Sequence, residues 1–314
     1  MRFDLHGLAL ELDSNDTLVR ERFAATFASR PLLDRVKEGA TLYLQLDLRE
    51  TVTAAPDGAP VYAERDLIHY YITPPIIVAH FPRYGQLRID LERSMITGEI
   101  ISAAITTYGV FEDLVAIGLS PLLRRRGKFL IHAFAAAHEG QAALLVGGIG
   151  AGKTTTGIAL VRAGWQLLSN DSPLLDAATT NVLSYPGLLS AYPETLQRFP
   201  ELHPLLPGTI ERHKVTFSAE SVYRDVWTES ATPGVILFPH VEPISEHDIK
   251  PLTPPETLRL LLPHAIERWD TEMIPQHLAL LNQLVAKTPA YTLALAPDTA
   301  SLPDLVRRLL SADR

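Results

Sequence analysis

The sequence predicts an α/β fold, wound around a phosphate-binding loop and preceded by a smaller, strand-rich α/β region. Three observations predict it. First, the apolar run Leu144-Leu145-Val146 meets Gly147-Gly148-Ile149-Gly150-Ala151-Gly152, which leads into Lys153-Thr154 and a helical pattern. This is G-x-x-x-x-G-K-[ST] in strand–loop–helix context, the signature of a P-loop. At average composition the bare pattern arises by chance in about one chain of this length in a hundred. Second, strand and helix patterns alternate through residues 128–171, as a wound α/β core requires. Third, Thr41-Leu42-Tyr43-Leu44-Gln45-Leu46-Asp47-Leu48 alternates at period two, and Pro and Gly punctuate similar short runs across the first hundred residues.

Taken in order, Phe3 to Leu12 reads as a strand or hairpin. Asp13-Ser14-Asn15-Asp16 supplies a turn and an N-cap, and Leu18, Phe23 and Phe27 then fall at helical spacing over 17–28. Strands follow at 41–48, 66–72, 76–80 and 86–91, separated by residues such as Pro56, Gly58, Pro60, Pro74, Pro75, Pro82 and Gly85. From Thr97 to Arg126 the spacing predicts helix, with a break near Gly109. Arg124-Arg125-Arg126-Gly127 has two readings: cations completing a helix C-terminus before a glycine cap, or a phosphate contact.

Lys128 to Ala136 and Gln141 to Val146 read as two strands joined by a His138-Glu139-Gly140 turn. The helix after the glycine-rich loop runs from Lys153 to about Ala163 and stops at Gly164. Trp165 to Leu168 is a strand that ends in Ser169-Asn170-Asp171. Beyond 172 the spacing predicts helices over 193–198, 255–268, 274–286 and 301–312, and strands over 182–185, 214–217, 234–238 and 290–296. No repeat of 20–50 residues is present, so a solenoid is excluded.

Composition bounds the function. A chain of 314 residues with 46% hydrophobic and 20% charged residues builds a folded core. A formal charge of −8 excludes a general nucleic-acid binder, which works by neutralising phosphates. No apolar run approaches the ~20 residues a membrane span needs, so no membrane partner is expected. The N-terminus, Met1-Arg2-Phe3-Asp4-Leu5-His6, has no secretory pattern. The absence of cysteine excludes disulfides, thiolate catalysis and Cys-ligated zinc, and a cytoplasmic protein is expected. The sequence leaves a homo-oligomer open.

The loop supplies the chemistry. Glycines at 147, 148, 150 and 152 let the backbone approach phosphate oxygens without a Cβ in the way. Their N–H groups, with Ile149 and Ala151 between them and a helix N-terminus behind, form a nest for a β-phosphate. Lys153 reaches β- and γ-phosphate oxygens, and the Thr154 hydroxyl is placed for Mg²⁺. Thr155 either bonds an α-phosphate or simply faces the helix surface. A P-loop also needs a carboxylate at the end of a neighbouring strand. Asp171 follows an apolar strand 17 residues after Thr154 and is the candidate, with an Asx turn at Asp171-Ser172-Pro173 as its bland alternative. Asn170 is a candidate for bonding a ribose, a metal-bound water or an acceptor hydroxyl. His132, 15 residues ahead of Gly147, is either a core histidine or a site residue. No HExxH or paired spacing among the histidines points to a transition metal.

His132-Ala133, the Gly147–Thr154 loop, Arg162-Ala163-Gly164-Trp165 and Leu168-Ser169-Asn170-Asp171 together resemble the HPr kinase/phosphorylase family and its HPr-kinase-related members. That group shares a P-loop core with phosphoenolpyruvate carboxykinase. The resemblance is specific across residues 128–175 and looser upstream. It implies ATP-dependent phosphorylation of a hydroxyl with Mg²⁺, and an active-site role for His132. The chain itself reads as a 1–100 N-terminal α/β region, a candidate for substrate recognition, and a 101–314 P-loop kinase-like domain, with no linker between them. Two departures narrow what carries over. The family has two acids where this chain has Asn170-Asp171, and its downstream glycine-rich signature is replaced by Ser184-Tyr185-Pro186-Gly187 and Phe199-Pro200-Glu201-Leu202. Phosphorylase activity and HPr itself as substrate therefore do not carry over from the resemblance. In Glu211-Arg212-His213-Lys214, Arg212 or Lys214 is either a phosphate clamp or part of a solvated cluster.

The expected function is a Mg·ATP-dependent kinase acting on a hydroxyl of a peptide, protein or small molecule. Its catalytic set is Lys153, Asp171 as base and metal ligand, His132 orienting, and Asn170 sharing the metal task. The alternative is a nucleotide-binding regulatory protein or slow NTPase with no acceptor, motivated by the missing second acid. No N-K-x-D guanine motif is present, which disfavours a GTPase switch.

Overall fold

The computed structural model describes residues 1–29, 41–207 and 213–311. The chain forms two compact units, Met1–Arg126 with Glu267–Thr271, and Gly127–Ile266 with Glu272–Arg314. Both mix helix and strand, so the α/β class expected from the sequence holds in this broad sense.

In the first unit, β1 (Arg2–Leu5) and β2 (Leu8–Asp13) form a hairpin turned by His6 and Gly7, both at positive φ (54° and 81°). Helix α1 (Thr17–Thr26) starts where Asp16 accepts from the Leu18 and Val19 amides at 2.7 and 3.2 Å, the N-cap the sequence predicts. Then come β3 (Thr41–Arg49), β4 (Tyr62–Glu64), β5 (Ile68–Thr73), β6 (Ile76–Phe81), β7 (Gly85–Asp90) and β8 (Met95–Ile101). They make one sheet in the order β1-β2-β3-β8-β7-β6-β5-β4. Helices α2 (Ser102–Thr106) and α3 (Val110–Arg124) follow, and Gly118 of α3 has the side chains of Leu87 and Ile96 against it.

The helix expected from Thr97 therefore starts later. Residues 95–101 form β8, hydrogen-bonded on both sides by β3 and β7, and alternate between buried and partly buried as successive side chains face opposite sides of the sheet. Ladder bonds from two neighbours outweigh an apolar spacing that also fits a helix. The compact unit extends to Arg126 because α3 packs on this sheet, with Gly118 against Leu87 and Ile96. The arginine cluster completes the helix end: Arg125 and Arg126 donate to the carbonyls of Pro121 and Leu122, and Gly127 follows at φ 70°. Arg124 and Arg125 also pair with Asp270, at 2.8 and 3.0 Å.

The second unit begins with β9 (Lys128–Leu130), β10 (Ala133–His138) and β11 (Gln141–Val146). Helix α4 (Lys153–Arg162), β12 (Gln166–Ser169), β13 (Leu174–Asp176), β14 (Val182–Leu183), β15 (Leu189–Ala191) and α5 (Pro193–Leu196) follow. The chain continues through β16 (Val215–Phe217), β17 (Ser230–Val241), β18 (Asp248–Leu252) and α6 (Pro254–Leu261), and ends with α7 (Ile274–Lys287), β19 (Ala290–Leu295) and α8 (Leu302–Ser311). One sheet runs β12-β10-β11-β17-β14-β13-β9, with β19 on β17 and β18 on β19. Strands β11, β17 and β19 are parallel, whereas β10 and β12 run against their neighbours. The wound core is thus a mixed sheet.

Alternation sends the two halves of each strand to opposite faces. Phe134, Ala136, Ala143 and Leu145 pack with Ile158 and Leu160 of α4 and Val306 and Leu310 of α8. Ala133, Ala135, Ala142 and Leu144 pack with Leu261 of α6 and Leu280, Leu281 and Leu284 of α7. Each such leucine contributes roughly 1.5–3 kcal/mol by leaving water. Close approach of α4 depends on Gly157, where a Cβ would lie 2.4 Å from the Phe134 ring. The strand expected over 128–136 breaks at Ile131-His132, because β9 pairs with β13 and β10 pairs with β11 and β12. Among the described residues, no helix is long and apolar enough to cross a membrane.

Candidate phosphate-binding and catalytic site

Strand direction gathers the site. Because β10 and β11 are antiparallel with Ala133 opposite Val146, the residue before β10 and the residue after β11 share one edge. Because β12 is antiparallel to β10, with Ser169 opposite Ala135, the residues after β12 reach that edge too. His132, Gly147 and Asn170-Asp171 therefore meet there, although they come from three separate sequence segments. Main-chain bonds lock the arrangement: Ala133 N donates to Asp171 O at 3.0 Å, and His132 N to His264 O at 2.7 Å.

The glycine-rich loop joins β11 to α4. Gly152 caps the helix at φ 97°, and a Cβ there would lie 2.3 Å from the Leu295 side chain, so the position requires glycine on two counts. Gly150 also sits at positive φ (81°), and Ile149 at the loop tip is 89% exposed. Thr154 is partly buried in the first turn of α4. Thr155 meets Thr195 of α5, hydroxyl to hydroxyl at 3.2 Å.

Lys153 is buried at the loop mouth. Its ammonium donates to Gly147 O and to Gly148 O at 3.2 Å, and lies 3.3 Å from His132 Nε2. Burial pushes the Lys153 pKa below its ordinary value; Asp171 opposes the shift and Lys214 adds to it. On the other side of the ring, His132 Nδ1 is 3.3 Å from Asp171 Oδ1. An ammonium only donates, so Nε2 is the accepting nitrogen and Nδ1 carries the proton toward Asp171. Burial also lowers the His132 pKa from 6.5, against the attraction of Asp171 and with the help of Lys153 and Lys214.

Asp171 keeps a half-open side chain (54% exposed). Its bland alternative does not fit, since an Asx turn would need the N–H of residue 173, which is proline. The Ser172 amide instead bonds Ser169 Oγ at 3.1 Å. Asn170 has its amide nitrogen on Leu188 O at 3.3 Å, while its Oδ1 is buried without a partner. The amide thus holds the segment ahead of β15, a donor role that a second aspartate cannot fill.

Two further groups complete the site. His264, in the turn after α6, has its ring centroid 6.0 Å from that of His132 at an interplanar angle of 26°. Burial and the nearby His132 and Lys153 lower its pKa. No motif marked His264, because it arrives from a distant turn and its contact is with a main-chain amide. Lys214 acts electrostatically on both His132 and Lys153, and its ammonium lies 5.5 Å from the Tyr192 ring. Its companion candidate, Arg212, falls outside the described residues. Two lysines, two imidazoles biased to neutrality and one carboxylate make this edge of the sheet attractive to anions. No protein-family model matches the chain, and no curated protein matches it.

Proposed function

We propose that the chain is a Mg·ATP-dependent kinase of the HPr-kinase-related kind, transferring a phosphoryl group to a hydroxyl of a peptide, protein or small molecule. The observation that carries this reading is the line Lys153–His132–Asp171, with 3.3 Å contacts on both ring nitrogens, immediately beside the glycine-rich loop. Phosphoryl transfer is mostly positioning and charge neutralisation. The amides of Gly147, Gly148, Ile149, Gly150, Ala151 and Gly152 would hold the phosphates, and Lys153 would exchange its carbonyl partners for phosphate oxygens. Lys214 adds a second cation.

Asp171 is the base toward the acceptor hydroxyl, oriented by His132. Among the described residues no group of three or more His, Cys, Asp or Glu side chains gathers to hold a metal alone. Mg²⁺ at kinase sites needs only one or two protein oxygens besides substrate phosphates and water. The Thr154 hydroxyl and Asp171 fit that demand, and the orphaned Asn170 Oδ1 beside Asp171 supplies a further oxygen. Bound there, the ion would neutralise phosphate charge.

The test is transfer of ³²P from [γ-³²P]ATP to candidate hydroxyl acceptors by wild type and Lys153→Ala. Transfer that persists unchanged in the variant sinks the reading. Tight ATP binding with slow hydrolysis and no labelled acceptor would instead favour a regulatory nucleotide-binding protein, which the single carboxylate at Asn170-Asp171 also suits.

A further inference from the structure

We propose that His132 is itself the first phosphoryl acceptor, so that the kinase works through a phosphohistidine. The inference rests on the nucleotide reading above and deepens it. A base needs only to reach the acceptor's proton. Here the unprotonated ring nitrogen, Nε2, accepts from the lysine of the glycine-rich loop at 3.3 Å, and is uncovered on the loop side once that lysine turns to a γ-phosphoryl group. The opposite nitrogen faces a carboxylate, which keeps the proton on Nδ1 and directs the lone pair to Nε2. The ring is also held from behind, by its own amide on His264 O (2.7 Å) and by the His264 ring. Those are the requirements of an activated nucleophile: an unprotonated nitrogen on the phosphate-binding side, an orienting partner and a fixed frame.

In the first half-reaction the Nε2 pair attacks the γ-phosphorus. The bond from that phosphorus to the β–γ bridging oxygen breaks, and ADP leaves with its electrons. The ring keeps its Nδ1 proton, and Asp171 balances the positive charge that develops on it. In the second half-reaction the acceptor oxygen attacks the phosphorus, the P–Nε2 pair returns to the ring, and the acceptor's proton passes to Asp171. No other reactant is needed.

The test uses the full chain with Mg²⁺ and [γ-³²P]ATP, without any acceptor. The expected result is protein-bound label that survives alkali and is lost in mild acid, maps to the peptide containing His132, and is absent with [α-³²P]ATP. Wild type should also exchange labelled ADP into ATP, a readout that needs no variant. His132→Gln should lose both label and exchange, with folding checked by its melting temperature and ATP binding by calorimetry. Acid-stable label, label retained in His132→Gln, or γ-phosphoryl transfer without ADP–ATP exchange overturns the phosphohistidine and leaves the kinase reading standing. Failure of wild type to bind ATP overturns both.

Discussion

Lys153 Nζ and His132 Nε2 lie 3.3 Å apart, which fixes the imidazole tautomer and turns its Nδ1–H toward Asp171. One geometric fact thus orders a cation, a ring and a carboxylate in a line beside the glycine-rich loop. The chemistry proposed for the chain follows from that order.

The line predicts how His132 titrates. Burial lowers its pKa first, Asp171 opposes, and Lys153 and Lys214 add to the lowering. Lys214→Ala should therefore raise the His132 midpoint and Asp171→Asn should lower it further, as read by NMR of labelled imidazoles. Shifts of the opposite sign would refute the electrostatic picture. The same sign applies to stability. His132 and His264 both have folded pKa values below 6.5, so the unfolded chain binds more protons as pH falls through that value. Their contribution is lost on acidification below about 6.5 and is constant above it. Urea unfolding on both sides of that pH, in wild type and His264→Gln, measures it; the variant should show the smaller acid loss.

Lys153→Met removes the charge-assisted donor and should weaken ATP binding roughly ten- to a hundred-fold, the effect of about 1.5–3 kcal/mol. Calorimetric titration reads this directly. An unchanged affinity would show that the lysine does not meet phosphate.

Two glycine substitutions should separate folding from binding. Gly157→Ala places a methyl 2.4 Å from the Phe134 ring, inside a packed layer, and should destabilise the protein by about 1–3 kcal/mol in urea unfolding. Gly148→Ala meets no atom within 4 Å and should change stability by under about 0.5 kcal/mol. It should nevertheless weaken ATP binding, because its Cβ stands where phosphate oxygens approach the loop. Equal effects of both substitutions on stability would contradict the packing described.

Asn170→Asp restores the second acid of the resembled family but removes the donor to Leu188 O. The loss should be about 1–3 kcal/mol at neutral pH, the cost of an unpaired, partly buried carbonyl beside a new carboxylate. It should shrink toward pH 5, where a protonated carboxyl can donate. A variant as stable as wild type at neutral pH would mean that the Leu188 contact carries no weight.

In the first unit, Asp270 is 4% exposed and accepts from the buried Arg124 at 2.8 Å. Asp270→Ala leaves a buried guanidinium without its partner and should cost about 3–5 kcal/mol, measured by chemical unfolding. A loss under about 1 kcal/mol would place the pair among ordinary surface bridges.

Much of this protein is legible along the chain. The loop at 147–152, the helix beginning at Lys153, the Asp16 cap and the Gly164 stop are local events. They are set by backbone freedom, missing Cβ atoms and nearby hydrogen bonds, which sequence spacing records. Strand β8 is not local: Ile100 and Ile101 continue the helical spacing of Ile105 in α2, and only β3 and β7 on either side make them strand. The site divides in the same way. Sequence alone identified Lys153, Thr154 and Asp171 as candidates, because each stands at the end of a recognisable element, whereas His132, inside an expected strand, gained its role from the family resemblance. That His132 faces Lys153 with one nitrogen and Asp171 with the other depends on β10 running antiparallel to both β11 and β12. His264 and the binding of Asn170 to Leu188 O come from main-chain contacts between distant segments. Such contacts leave no trace in residue spacing, because a carbonyl is the same on every residue and only the folded path brings it into reach.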